Sequence, residues 1–166
     1  MAPKPLILMA FGGNALIKKG QKGTHKEQFI NLKLIDMDFI VICCGGGGIP
    51  VIRKERKFRG VEAVIDKDLA SSILAKEIKA DIFIIASDIA GAGINWGTQD
   101  QQILRKVSID ELEQYVEQGQ FPAGSMGPKV EAITDFFKAT GNRSIICHLE
   151  DIEKAIAGEA GTEITK

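Results

Sequence analysis

The sequence predicts an α/β protein built on a largely parallel sheet. Continuous apolar runs of strand length alternate with segments of helical periodicity. The runs are apolar throughout rather than alternating, as strands covered on both faces are. Three of them end on groups of glycine, at Gly12-Gly13, Gly45 to Gly48 and Gly91 to Gly97. Ligands of open α/β sheets bind at the carboxyl ends of the strands, where such glycines would lie.

The elements follow in order. Pro5 to Phe11 is the first strand, which leaves no long apolar leader in MAPKPLILMAF. His25 to Leu34 is a weak helix, and Asp38 to Cys44 a second buried strand. Val61 to Ile65 alternates and predicts a short strand. Asp68 to Ala80 predicts a helix, with Leu69, Ile73, Leu74 and Ile78 on its apolar stripe and Asp66 or Asp68 as cap. Asp81 to Ala86 is a third buried strand. Ser108-x-x-Glu111 is a capping box opening a helix whose stripe is Leu112, Tyr115 and Val116. Pro128 suits the first position of a helix over Val130 to Ala139. Arg143 to Cys147 is a strand, Leu149 to Ala157 a helix, and Thr162 to Ile164 a last short strand.

The chain has 166 residues, 45% of them hydrophobic and 26% charged, enough for one domain with its own core. The net charge of -1 gives no electrostatic case for nucleic acid. No apolar run is long enough to span a membrane. The three cysteines, Cys43, Cys44 and Cys147, lack metal-ligand spacing and read as free thiols in a reducing cytoplasm. His25 and His148 have no partner pattern and read as structural or surface residues, with no metal site implied.

Glycine lets backbone N–H groups converge on an anion. Three such groups, each after an apolar run, favour phosphate loops over plain turns. The common nucleotide motifs are nonetheless absent. There is no GxxxxGK[ST], and GAGINW has Trp96 where a dinucleotide fingerprint needs its third glycine. Asp66-Lys67-Asp68 would hold a lysine between carboxylates. Lys129 stands at a helix start, where a cation opposes the helix dipole unless an anion binds there too.

Taken together, FGGNAL (11–16), CGGGGIPV (44–51), GVEAVIDKDLAS (60–71), INWG (94–97), AGSMGPKVEA (123–132) and EAGTEI (159–164) resemble carbamate kinase, in the amino-acid kinase superfamily. The resemblance implies a three-layer α/β/α sandwich around a mainly parallel sheet. It implies reversible phosphoryl transfer between ATP and carbamate, giving ADP and carbamoyl phosphate, with Mg²⁺ accompanying the nucleotide. By position it assigns Gly12, Gly13, Asn14, Gly46 and Gly47 to the substrate and transferred phosphoryl group. It assigns Lys67, Asp68 and Lys129 to catalysis, and Asp88, Asn95, Ser125, Met126 and Lys129 to the nucleotide.

The family is roughly twice as long as this chain and homodimeric. The resemblance places the missing part internally, with a junction near Asn31 to Met37. One shortened domain over 1–166 then comprises a glycine-loop segment, 1–33, and a nucleotide-binding half, 38–166. Much of the family's dimer interface and part of its carbamate site fall in the missing part, and a nucleotide-binding remnant without catalysis is the alternative reading. An exposed sheet edge at the junction implies self-association. Ala90 and Gly93 depart from the family's pattern, which often has an aspartate and a larger residue there.

Overall fold

The computed structural model describes residues 6–11, 50–55 and 57–166. The helix expected at 25–34, the strand at 38–44, the junction and the glycines of the first two loops lie outside these residues.

Five strands form the main sheet: β1 (Ile7–Phe11), β4 (Ile82–Ser87), β7 (Lys106–Ser108), β8 (Arg143–His148) and β9 (Thr162–Thr165). Their order is β1-β4-β8-β9-β7. β1, β4 and β8 run parallel, β9 runs antiparallel to β8, and β7 pairs parallel with β9. The sheet is thus mixed but mostly parallel.

Side-chain alternation along β4 and β8 separates two cores. Phe83, Ile85 and Ile146 face one side, where they meet Val130, Ile133 and Phe136 of the helix α3 (Met126–Thr140). The Phe83 and Phe136 rings lie 5.3 Å apart, tilted by 52°. Ile82, Ile84, Ile145 and Cys147 face the other side, against Ala155, Ile152 and Ile156 of the short α4 (Ile152–Ile156). Helices on both faces make the three-layer α/β/α sandwich that the motifs imply.

The helix α1 (Lys67–Glu77) begins where expected. The Asp66 side chain accepts the main-chain N–H groups of Asp68 and Leu69 at 2.8 and 3.1 Å. Its buried face follows the expected stripe only in part: Leu69 and Ile78 pack, partly buried, against the core. Asp68, Ser71, Ser72 and Ala75 are buried, whereas Ile73 is exposed. Small side chains let α1 lie close to α3, and packing geometry overrides hydropathy. Polar ties add to the apolar ones: Ser72 Oγ and Lys76 Nζ both donate to Asp135 Oδ2, at 2.9 and 2.5 Å.

Other elements also depart from the pattern. The strand expected at Val61 to Ile65 is irregular and exposed, with Val64 94% accessible. The strands stand earlier, in the antiparallel hairpin β2 (Val51–Lys54) and β3 (Lys57–Gly60), where Glu55 takes φ 50°. Its basic, solvated residues carry no buried-strand signal. In α2 (Ile109–Glu117), Ser108 Oγ accepts the Glu111 N–H at 3.3 Å and Leu112 is buried, but Val116 is exposed. Pro128 is the third residue of α3 rather than the first, which the first turn tolerates because its N–H groups have no intrahelical acceptor. The helix expected over 149–157 is a 3₁₀ turn (Leu149–Asp151) followed by α4. Two two-residue strands, β5 (Gly93–Ile94) and β6 (Gln102–Ile103), and β7 are too short to show as periodicity.

The segment after β4 is fastened to β9 by one buried hydroxyl. Thr162 Oγ1 accepts the Ala92 N–H at 2.8 Å and donates to the Leu104 carbonyl at 2.5 Å. Just before it, Gly161 has φ 82°, and a Cβ there would come within 2.6 Å of the Ile146 carbonyl oxygen and 2.9 Å of Cys147 Cβ. Gly158 has a similar φ of 80° with only the Arg143 guanidinium near, at 3.9 Å. Gly161→Ala is expected to cost about 2–4 kcal/mol and Gly158→Ala about 1 kcal/mol. Urea unfolding of both variants separates backbone conformation from close approach; equal costs would show that the approach to β8 does not matter.

Burial pushes the Cys147 thiol up to about 11, and the Asp151 carboxylate adds to the rise. The unfolded chain therefore loses this proton first as pH rises. The stability gained by keeping the thiol neutral is present below about pH 9 and lost as pH climbs toward 11. Denaturation between pH 8 and 11 should show a shallower alkaline loss for Cys147→Ala than for the unaltered chain.

Candidate functional site at the carboxyl ends of the strands

The site is built where β4 and β8 end. Ser87 and His148 are register partners, so the two strands open side by side. Asp88 follows Ser87, and the Ser87 hydroxyl donates to Asp88 Oδ1 at 3.0 Å. The first turn of α3 faces the same space and brings Ser125, Met126 and Lys129. These groups surround a cavity of about 940 Å³, which Trp96 and Glu150 also line.

Chain folding before α3 aims that turn. The Pro122 carbonyl accepts the N–H groups of Ser125 and Gly127 at 3.2 and 2.8 Å. A Cβ on Gly127 would lie 3.0 Å from that oxygen, so glycine allows the tight entry. The Ser125 hydroxyl makes no capping bond of its own.

The charges behind the cavity centre on Asp68, which is 2% exposed. Its Oδ2 meets Lys129 Nζ at 2.8 Å and Lys67 Nζ at 3.5 Å. The cation at the start of α3 thus has an anion beside it already, supplied by α1. Lys129, at the N-terminal turn of α3 and on the cavity lining, suits a further anion such as phosphate.

The structure brings together Asp88, Ser125, Met126 and Lys129 around the cavity, with Lys67 and Asp68 reached through Lys129. Asn95 does not line it. At φ 52°, its N–H donates to Gln120 Oε1 at 2.8 Å, its Oδ1 accepts Gln120 Nε2 at 3.3 Å, and its Nδ2 donates to the Asp100 carbonyl at 3.4 Å. Asn95 shapes the loop that carries Trp96. Gly12, Gly13, Asn14, Gly46 and Gly47 lie outside the described residues. Among the described residues no group of three or more His, Cys, Asp or Glu is placed to hold a metal ion. No helix there is long and apolar enough to cross a membrane.

Trp96 and His148 are among the lining residues that sequence reasoning does not single out for the site. Trp96 is 53% exposed and packs over Gly93, where a Cβ would meet its ring at 2.8 Å. Its signal was a lone tryptophan directly after a glycine group. His148 is structural in part, since its Nδ1 accepts the Glu150 N–H at 3.2 Å and caps the 3₁₀ turn. Its place at the end of a central strand was the missed signal.

Parallel strands opening on a cavity flanked by two helix starts and a lysine pair are the layout of an α/β ligand-binding domain. The chain belongs to the amino acid kinase family, whose model matches residues 21–148. It is 49% identical over 140 residues to a carbamate kinase of Pyrococcus furiosus, covering 84% of this chain and 45% of that protein. It is 43% identical over 146 residues to a carbamate kinase of Trichomonas vaginalis, covering 87% and 46%. A solved carbamate kinase from Giardia lamblia, bound to AMP-PNP, superposes with a TM-score of 0.77 at 43% identity, over 86% of this chain and 45% of that one. The chain thus spans a little under half the length of the curated relatives it matches.

Removing Asp68 leaves two partly buried lysines facing each other without their common anion. Asp68→Ala is expected to lower stability by about 2–4 kcal/mol. Adding Lys129→Met should recover part of the loss. A double variant no more stable than Asp68→Ala in chemical denaturation would show that the two lysines do not repel.

Proposed function

We propose that this fold serves reversible phosphoryl transfer between ATP and carbamate, giving ADP and carbamoyl phosphate. The observation that carries the reading is the Lys67–Asp68–Lys129 cluster beside the cavity. Identities of 43–49% to carbamate kinases support the choice of reaction.

In-line transfer needs positioning and charge neutralisation more than covalent chemistry. A carbamate oxygen attacks the γ-phosphorus, and the bond to the bridging oxygen breaks to leave ADP. Carbamate is already an anion, so no general base is required. Lys129 would draw the nucleotide phosphates toward the start of α3. Lys67 would neutralise charge on the transferred group, with Asp68 orienting both ammonium groups. Asp88, Ser125 and Met126 would hold the rest of the nucleotide, and Asn95 would act by shaping its loop.

Gly12, Gly13, Asn14, Gly46 and Gly47 would supply backbone donors to carbamate and the moving phosphoryl group. Mg²⁺ would arrive on the nucleotide phosphates as part of the substrate, neutralising their charge there. The buried free thiol of Cys147 suits action in the reducing cytoplasm. A homodimer, as the resemblance implies, is part of this proposal.

The test is ATP formation from carbamoyl phosphate and Mg-ADP, read by luciferase, alongside calorimetric binding of Mg-ADP. Turnover is expected to fall about 100-fold or more in Lys67→Ala, and Mg-ADP should bind more weakly to Lys129→Ala. Turnover indifferent to Lys67 would sink the reading. Binding without turnover in the folded chain would leave a nucleotide-binding domain that does not catalyse.

A further inference from the structure

His148 plays no part in that reaction scheme, yet its surroundings give it a defined chemical character. It ends β8 beside Ser87 at the end of β4, and both line the cavity with Asp88 and Glu150. The Glu150 main-chain N–H donates to His148 Nδ1 at 3.2 Å. A backbone N–H can only donate, so Nδ1 carries a lone pair there. In the neutral imidazole the ring proton is then on Nε2. This wall of the cavity combines one fixed N–H donor with the Ser87 hydroxyl and two carboxylates.

A phosphate has acceptors alone, and two carboxylates repel it. Phosphates belong on the Lys129 side, where Asp68 anchors the ammonium group at 2.8 Å. A sugar hydroxyl both donates and accepts, which matches a histidine donor among carboxylate acceptors. Lys129 and His148 line the same cavity, so a phosphate chain at one and a sugar at the other can belong to a single ligand.

We propose that His148 contacts a ribose hydroxyl of the bound nucleotide, so that the cavity prefers ribonucleotides to deoxyribonucleotides. The inference rests on the nucleotide-binding reading above. It gives His148 a role separate from its capping of the 3₁₀ turn, and substitution can divide the two. Asparagine is a good cap but lacks the reach of Nε2.

Trp96 is the only tryptophan of the chain and lines the same cavity, so its fluorescence provides a binding signal. Affinities for ATP, 2′-deoxy-ATP and 3′-deoxy-ATP should be measured on the whole chain and on His148→Asn and His148→Ala. The unaltered chain is expected to bind ATP about 5- to 10-fold more tightly than at least one deoxy analogue. In both variants the three nucleotides should bind within about twofold of one another, a factor too small for one hydrogen bond. Thermal melting of His148→Asn should match the unaltered chain, which separates lost contact from lost fold. ATP bound no more tightly than both analogues, or a preference that survives in His148→Asn, overturns the ribose contact alone. Folded protein that binds none of the three overturns the nucleotide reading and this inference with it.

Discussion

Burying a carboxylate is costly unless cations and hydrogen-bond donors surround it. Asp68 meets that demand by accepting from Lys129 on α3 and facing Lys67, its neighbour on α1. The contact between the two helices depends on this arrangement. It is flanked along the same face by Ser72 and Lys76, which share Asp135. Without Asp68, two ammonium groups would approach each other in a partly desolvated space. With it, the helices close and Lys129 is held at the cavity wall. The interaction that seals this layer of the sandwich therefore also positions the cavity's lysine.

The far wall of the cavity is held differently. The chain leaves β4 at Ser87, passes through three glycines and returns to the sheet at β7. Thr162 fixes this excursion from below, accepting from Ala92 and donating to Leu104. A Cβ at Gly91 would sit 2.5 Å from the Thr162 hydroxyl oxygen, so the close approach demands glycine there. Gly93 in turn gives Trp96 room to lie over the backbone. The glycines of this segment thus serve close packing that positions an aromatic ring. The cost of their unfolded-state freedom is offset by the buried hydrogen bonds they permit.

The hairpin of β2 and β3 contrasts with both. Phe58 is 72% exposed, and Lys54 and Lys57 are directly opposed across the two strands. Like charges in register do not stabilise a ribbon, and a lone hairpin is marginal in water. Its residues lie in sequence between the four-glycine run and the Asp66-Lys67-Asp68 cluster.

The alternation of buried strands and helices is legible in the sequence, because long apolar runs and helix caps are local signals. Asp66, Ser108 and the apolar run expected at 81–86, which forms β4 over Ile82–Ser87, show this, each folding as its chemistry dictates. The ordered motifs also determined the family and marked Lys67, Asp68 and Lys129 as one chemical unit. Which face of α1 is buried depends instead on packing between distant segments. The spacing of Leu69, Ile73 and Leu74 describes one helix, whereas burial depends on how near a second helix can come. The antiparallel placement of β9 was equally hidden, since strand direction is fixed by the path of the chain between strands. So was the membership of His148 in the cavity: a single histidine has no pattern, and its neighbours Ser87 and Asp88 are some 60 positions away in sequence. Register across the sheet brings them together.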